Sequence, residues 1–335
     1  MPTQEARGTA VISGLGSWLP SRVVDNHELS QRLDTSDEWI RTRTGIAQRH
    51  VVAPGESTVD LAVEAGKRAL ASAGVDRVDL VLLATATPDQ LCPGSAPQVA
   101  ARLGMNGVGA LDVNAVCSGF VYALATGAGL ISGGVASSVL VIGADTFTTM
   151  IDPEDRGTVP IFGDGAGAVV LRSGSADEPG ALGPFDLHSD GELAELLWIT
   201  AGGSKKRQSD DPSEFFLTMQ GQAVFRHACA RMAESSRAVL ERAGLTVSDV
   251  DRFVGHQANI RILQGCAKQL GLAADAVVAN IEHTGNTSAA SIPLALADAA
   301  RAGDLIPGHR VLLSAFGAGL TWGSTVLTWP NLTPA

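Results

Sequence analysis

The sequence predicts a mixed α/β protein made of two similar halves, each a sheet covered by helices. Three observations point there. "ALASAGVDRVDLVLLATATP" (69–88) and "VLERAGLTVSDVDRFVGHQA" (239–258) share one plan: a helical end, an Ala-Gly stop, an Asp-containing turn and an apolar strand. "FGDGAGAVVL" (162–171) and "FGAGLTWGSTVL" (316–327) form a second pair in the same order about half a chain apart, each a Gly-rich turn feeding a strand. Composition is the third. The 335 residues are 45% hydrophobic and 18% charged, enough to bury a large core, and aromatics are only 4% against 38 glycines. The interior is therefore built from small and aliphatic side chains. The halves are read as 1–175 and 176–335, meeting within "RSGSADEPGALG" (172–183), which is rich in turn formers.

Within the first half, "GALDVNAV" (109–116) reads as a buried strand and "SGFVYALATGAGLISGG" (118–134) as a helix ending at a glycine pair. Phe120, Leu124 and Ile131 are in phase, and the opposite face is Ala and Gly rather than charge, so the helix is buried all round. Cys117 stands between the two. Unpaired N–H groups at a helix start favour an anion, which would stabilise its thiolate. The ordinary alternative for any buried cysteine is a small core residue. Cys92, in a Pro/Gly loop, and Cys229 and Cys266, at helical spacing among apolar residues, keep that alternative.

The second half offers partners. "VGHQAN" (254–259) puts His256 directly after the second copy of the repeated strand, at the end where α/β sheets place ligands. "EHTGNTSAASIPLAL" (282–296) puts Asn286 after a glycine, in a turn before another small-residue helix. Each is weak alone; together with Cys117 they can make a Cys-His-Asn constellation. "GDGAGA" (163–168) and "GAGLTWG" (317–323) are followed by strand patterns rather than a helix, which excludes a dinucleotide fingerprint. Their glycines fit a backbone that approaches the reacting centre closely, for instance to offer N–H donors to an oxyanion.

A net charge of -11 argues against nonspecific nucleic-acid binding. Apolar runs are too short and too broken by glycine to span a membrane. The opening "MPTQEARGTAVISGLG" lacks a basic region followed by an apolar core, so no signal peptide is expected and the chain reads as cytoplasmic with reduced thiols. The four cysteines show no CxxC pair and no His cluster, so neither a metal nor another cofactor is expected.

Seven stretches in order resemble the β-ketoacyl-acyl carrier protein synthase III family of the thiolase superfamily: "DTSDEWIRTRTGI" (34–46), "AVCSGF" (115–120), "DPEDRGT" (152–158), "IFGDGAGA" (161–168), "GHQANIRI" (255–262), "HTGNTSAAS" (283–291) and "AFGAGLTWG" (315–323). The resemblance implies a duplicated five-layer α/β/α/β/α fold, a homodimer, and a ping-pong condensation that initiates fatty-acid or polyketide chains. Cys117 would take an acyl group from acyl-CoA. His256 and Asn286 would hold the thioester oxygen of malonyl-acyl carrier protein as CO2 leaves, and the Cys117 and Ala318 N–H groups would form the oxyanion hole. The resemblance also implies CoA contacts at Trp39, Arg43 and Arg156, carrier-protein contacts at Arg226, Arg261 and Lys268, and an acyl pocket touching Phe316 and, across the dimer, Cys92.

This chain departs from the family pattern at Gly255, where proline is frequent, at Gln269, where a second lysine is common, and at Cys92, where short-chain members carry a bulky aromatic. Rival readings stay open at this level. A polyketide-pathway priming ketosynthase or acyltransferase shares the fold, a cysteine hydrolase shares the three side chains, and a non-catalytic partner subunit would lack the thiol.

Overall fold

The computed structural model describes residues 8–335. The first seven residues, part of the stretch read above for a targeting signal, lie outside the described residues. The chain begins with β1 (Thr9–Trp18), β2 (Arg22–Asp25), α1 (Asn26–Ser30), α2 (Asp37–Thr44), β3 (Gln48–Val51) and α3 (Thr58–Ala73). It continues through β4 (Leu80–Ala84), α4 (Ala96–Arg102), β5 (Gly109–Val113), α5 (Gly119–Ser132), β6 (Ser138–Asp145) and β7 (Gly165–Gly174). Next come β8 (Leu182–Ser189), β9 (Leu197–Trp198), β10 (Thr218–Met219), α6 (Gly221–Arg242), β11 (Arg252–Gly255) and α7 (Ile260–Leu270). The last elements are α8 (Ile281–Thr284), α9 (Ser291–Ala302), β12 (Arg310–Gly317) and β13 (Thr321–Thr328).

Two sheets carry the architecture. The first has the order β1-β7-β6-β4-β5 and the second β11-β12-β13-β8. Along the first, β1–β7 and β7–β6 are antiparallel and β6–β4 and β4–β5 parallel. Along the second, β8–β13 and β13–β12 are antiparallel and β12–β11 parallel, the same pattern one strand shorter. Where a fifth strand would lie, a single parallel bridge joins Phe253 to Val277. The shared helix stops behind the repeat are visible at Gly74 (φ 67°) and Gly244 (φ 68°), both left-handed.

Helices α3 and α4 cover one face of the first sheet, and α6, backed by α7, covers one face of the second. α5 and α9 touch strands of both sheets and form the middle layer. This is the five-layer α/β/α/β/α order. The middle layer is tight: a Cβ on Gly143 of β6 would sit 2.3 Å from the Ala289 carbonyl oxygen. One hydrophobic cluster runs across it, from Ala10 and Ile12 on β1 to Leu313 and Ala315 on β12. Phe120, Leu124 and Ile131 of α5 belong to that cluster, as their phase suggests.

The strand over 109–116 is not the buried strand expected. β5 stops at Val113 and forms the edge of its sheet, with Gly109 and Leu111 exposed and Leu111 43% accessible. An apolar run looks alike in a central strand and in an edge strand. No helix among the described residues is long and apolar enough to cross a membrane.

Candidate active site

A cavity of about 560 Å³ opens between the two halves of the chain, and Cys117, His256 and Asn286 all line it. Each comes from a loop at a strand or helix end. Cys117 lies in a 3-10 turn, Val116–Ser118, between β5 and α5. Val116 has a φ of 46°, a conformation a β-branched residue resists, and the next side chain, Cys117, lines the cavity. Cys117 is 5% exposed, and burial pushes its thiol up to about 12. This corrects the expectation of a stabilised thiolate. The α-helix starts two residues later, at Gly119, and burial, with the Asp145 charge adding to it, outweighs the Ser288 hydroxyl and the Cys117 N–H that favour the thiolate.

His256 follows β11 and is 2% exposed. Its backbone N–H donates to Ser314 O at 2.8 Å, which fixes the residue to β12. Its Nδ1 lies 2.6 Å from Ser291 Oγ, the first residue of α9. That hydroxyl oxygen also accepts the Gln257 N–H at 3.3 Å, and we assign its proton to Nδ1. The ring proton then sits on Nε2, the nitrogen presented to the cavity. Burial lowers the His256 pKa to about 3, so the ring stays neutral across physiological pH and acts as an N–H donor.

Asn286 follows Gly285, whose φ is 69°. Its backbone N–H donates to Ile161 O at 2.9 Å and its carbonyl accepts from Gly163 N at 3.0 Å, tying the turn to the segment before β7. The side-chain Oδ1 accepts the Ser288 N–H at 2.9 Å, which turns the Nδ2 group toward the cavity as a donor.

The oxyanion-hole expectation rests on the approach of two backbones. A Cβ on Gly317 would lie 2.9 Å from both Cys117 N and Ser118 N, so the 316–319 loop lies directly against the Cys117 turn. Ala318 and Phe316 line the same cavity. The Thr321 hydroxyl braces the arrangement, its one proton shared between Ala115 O at 3.2 Å and Ala318 O at 3.0 Å.

Toward the mouth, Trp39 and Arg43 of α2 line the cavity with Arg226 of α6 and Arg261 of α7. The Arg43 and Arg156 guanidinium carbons stand 4.7 Å and 5.3 Å from the Trp39 ring centroid, and Arg156 also pairs with Asp34 at 2.7 Å. A flat aromatic ligand can replace either guanidinium stacked on that ring. Two expected residues stand apart. Lys268 is exposed on α7 outside the cavity lining, and Cys92 is exposed and outside the cavity of its own chain.

Sequence reasoning missed Ser291 and Ser288, hydroxyls within "NTSAAS" that no pattern distinguishes from helix-start serines. It also missed Phe147 and Phe162, which stack with centroids 4.7 Å apart in the cavity wall. Their separation of 15 positions carries no periodic signal.

Comparison with known proteins agrees with this geometry. Residues 111–191 match the family profile described as 3-oxoacyl-[acyl-carrier-protein (ACP)] synthase III, and 240–329 match that of its C-terminal region. β-Ketoacyl-[acyl-carrier-protein] synthase III 5 of Streptomyces coelicolor is 58% identical over 97% of this chain and 99% of its own. The crystal structure of the Pseudomonas aeruginosa synthase III superposes with a TM-score of 0.92 at 51% identity, covering 97% of this chain and 100% of that one. A priming β-ketosynthase from a polyketide biosynthetic pathway gives 0.91 at 38% identity, covering 98% of each chain. With Cys117, His256 and Asn286 drawn into one cavity between two matching sheets, the chain belongs to the 3-oxoacyl-[acyl-carrier-protein] synthase III family.

Proposed function

We propose that this chain starts fatty-acid or polyketide chains by decarboxylative Claisen condensation of an acyl-CoA with malonyl-acyl carrier protein, through an acyl-Cys117 intermediate. The observation that carries this reading is the convergence of one thiol and two neutral N–H donors on a single cavity. A hydrolase needs water at its acyl-enzyme; here the thiol is 5% exposed behind a Gly/Ala helix.

Cys117 attacks the acyl thioester, and the tetrahedral oxyanion is held by the N–H groups of Cys117 and Ala318. After the first thiol departs, the malonyl thioester enters with its carbonyl oxygen between His256 Nε2–H and the Asn286 amide. Loss of CO2 places an enolate charge on that oxygen. Two donors already fixed in a dry site stabilise it without reorganisation. The carbanion then attacks the Cys117 thioester.

For the partners, an adenine would be sandwiched between Trp39 and Arg156, with Arg43 facing the CoA phosphates. Arg226 and Arg261 at the cavity mouth, with Lys268 further along α7, present positive charge to an acidic carrier protein on a chain whose net charge is -11. The exposed edge strand β5 and the 91%-exposed Leu91 beside Cys92 favour a homodimer formed by edge pairing. Cys92 would then reach the partner's acyl pocket.

Intact-protein mass spectrometry with acyl-CoA donors tests the reading. Wild type is expected to gain one acyl mass and Cys117→Ala none. Acylation of the variant at Cys92, Cys229 or Cys266 would overturn it.

A further inference from the structure

The oxyanion hole takes one N–H from each half of the chain, so its fit depends on the spacing of two turns far apart in sequence. The turns lie close together. A Cβ on Gly317 would meet Cys117 N and Ser118 N at 2.9 Å each and Ala115 O at 3.2 Å. Yet among the described residues no backbone–backbone hydrogen bond joins 115–118 to 316–321. Packing brings the two backbones into contact, and something else must fix how they face each other.

Two hydroxyls make the polar contacts between them. Ser118 is fully buried and directly precedes α5, and its Oγ lies 2.7 Å from Thr321 Oγ1 and 2.8 Å from Ala115 O. Thr321 is the first residue of β13. It pairs with Gly317 on β12 and with Ser189 on β8, so its backbone is set in the sheet from both sides. A separation of 2.7 Å between two hydroxyl oxygens requires a proton between them. With the Thr321 proton on the Ala318 and Ala115 carbonyls, we assign the one between the oxygens to Ser118. A chain of hydrogen bonds then runs from Ser118 through Thr321 to Ala318 O. It starts one residue after Cys117 and ends on the residue that supplies the second N–H.

We propose that Ser118 and Thr321 are positioning residues for the oxyanion hole. Their hydroxyl pair latches the 317–319 loop to the Cys117 turn and sets the spacing of the Cys117 and Ala318 N–H groups. This rests on those two N–H groups forming the hole. Neither Ser118 nor Thr321 lines the cavity, so the pair acts only through the backbone that it holds. The two half-reactions separate this role from general support. Acylation develops its charge in the hole, whereas loss of CO2 develops it between His256 and Asn286. Those two are held elsewhere: His256 by Ser314 and Ser291, Asn286 by Ile161 and Gly163. A loosened latch therefore slows the first half-reaction and spares the second.

The test uses the full chain and two readings. One is single-turnover acylation by butyryl-CoA, followed by intact mass; the other is labelled CO2 released from malonyl-carrier protein by the unacylated enzyme. Thr321→Val keeps the shape of the side chain and removes its hydroxyl, and Ser118→Ala removes the partner. Each is expected to acylate about tenfold more slowly, part of the 10²–10³ that one lost donor costs, with CO2 release within about twofold of wild type. Thr321→Ser keeps the hydroxyl and should restore acylation. Because the hydroxyls act as one unit, the double variant should be about tenfold slower rather than about a hundredfold.

Wild-type acylation by either folded variant overturns the latch. So does equal slowing of both half-reactions, which would mean general distortion of the site, and so does a double variant in which the two losses multiply. A thermal melt establishes folding, and Ser118→Ala, which removes one oxygen atom, decides alone if Thr321→Val does not fold. Slow acylation by Gly317→Ala beside normal acylation by Thr321→Val removes the latch and leaves the hole. Normal acylation by a folded Gly317→Ala removes the hole itself, a failure distinct from that of the latch.

Discussion

Gly317 tests the oxyanion hole without touching any reacting side chain. Gly317→Ala places a methyl group 2.9 Å from Cys117 N and Ser118 N, about 0.5 Å inside ordinary contact with two backbone atoms that cannot rotate away. Either the 316–319 loop or the Cys117 turn must therefore retreat by about that distance. Donors stabilise an oxyanion within a narrow window of about 2.7–3.1 Å, and losing one donor altogether costs about 10²–10³ in rate. A displacement of 0.5 Å should forfeit part of that, about tenfold to a hundredfold, or about 1.4–2.7 kcal/mol of barrier. The assay is single-turnover acylation by mass spectrometry, with a thermal melt to show that the variant is folded. Gly129→Ala is the matched control. Gly129 lies within α5 with nothing within 4 Å of the added methyl group, so the change should stabilise by about 0.5–1 kcal/mol and leave acylation unaltered. A folded Gly317→Ala that acylates within about twofold of wild type would refute the proposed oxyanion hole.

Other expectations follow from the same geometry. His256→Ala and Asn286→Ala should each spare self-acylation and slow release of CO2 from the malonyl donor about a hundredfold, measured as labelled CO2. Because burial holds His256 near 3, that step should show no loss from imidazole protonation between pH 5 and 8. Reversing Arg261 and Lys268 to Glu should raise KM for malonyl-carrier protein and leave acylation by acyl-CoA nearly unchanged; equal damage to both half-reactions would refute a carrier-protein role. Cys92→Phe should shift starter preference from octanoyl toward acetyl, since each buried methylene contributes about 0.8 kcal/mol and overpacking costs about 1–3 kcal/mol. An unchanged chain-length profile would show that Cys92 only packs the interface.

The repeat was legible because its markers are local: Gly74 and Gly244 stop helices in the same way in both copies, and each stop leads into an apolar strand. His256 and Asn286 were legible as loop residues after a strand and a glycine, and the family motifs tied them to Cys117. What the sequence hid depends on tertiary surroundings. A helix-start cysteine looks activated until the cover over it is known, and here burial reverses the direction of its pKa shift. β5 reads as buried because apolar composition alone does not distinguish a central strand from the edge of a sheet. The three partners of Asp145 in the turn after β4, Thr85, Ala86 and Thr87, are about 60 positions away, so the carboxylate at the end of β6 reads as an ordinary turn aspartate.

The hydrophobic cluster that crosses the middle layer has a consequence for cutting the chain. Each sheet buries one face against α5 and α9, one helix from either side of the 175–181 link, so each half carries part of the other's interior. A break in that link leaves two fragments that each expose the apolar surface the other should cover. Expressed separately, they should aggregate or be degraded; expressed together, they should reassemble into an acylating enzyme, because the link itself carries no member of the cavity. Duplication has thus divided the reactive groups between the copies, the thiol in one and the two N–H donors in the other, so that neither can keep the activity alone.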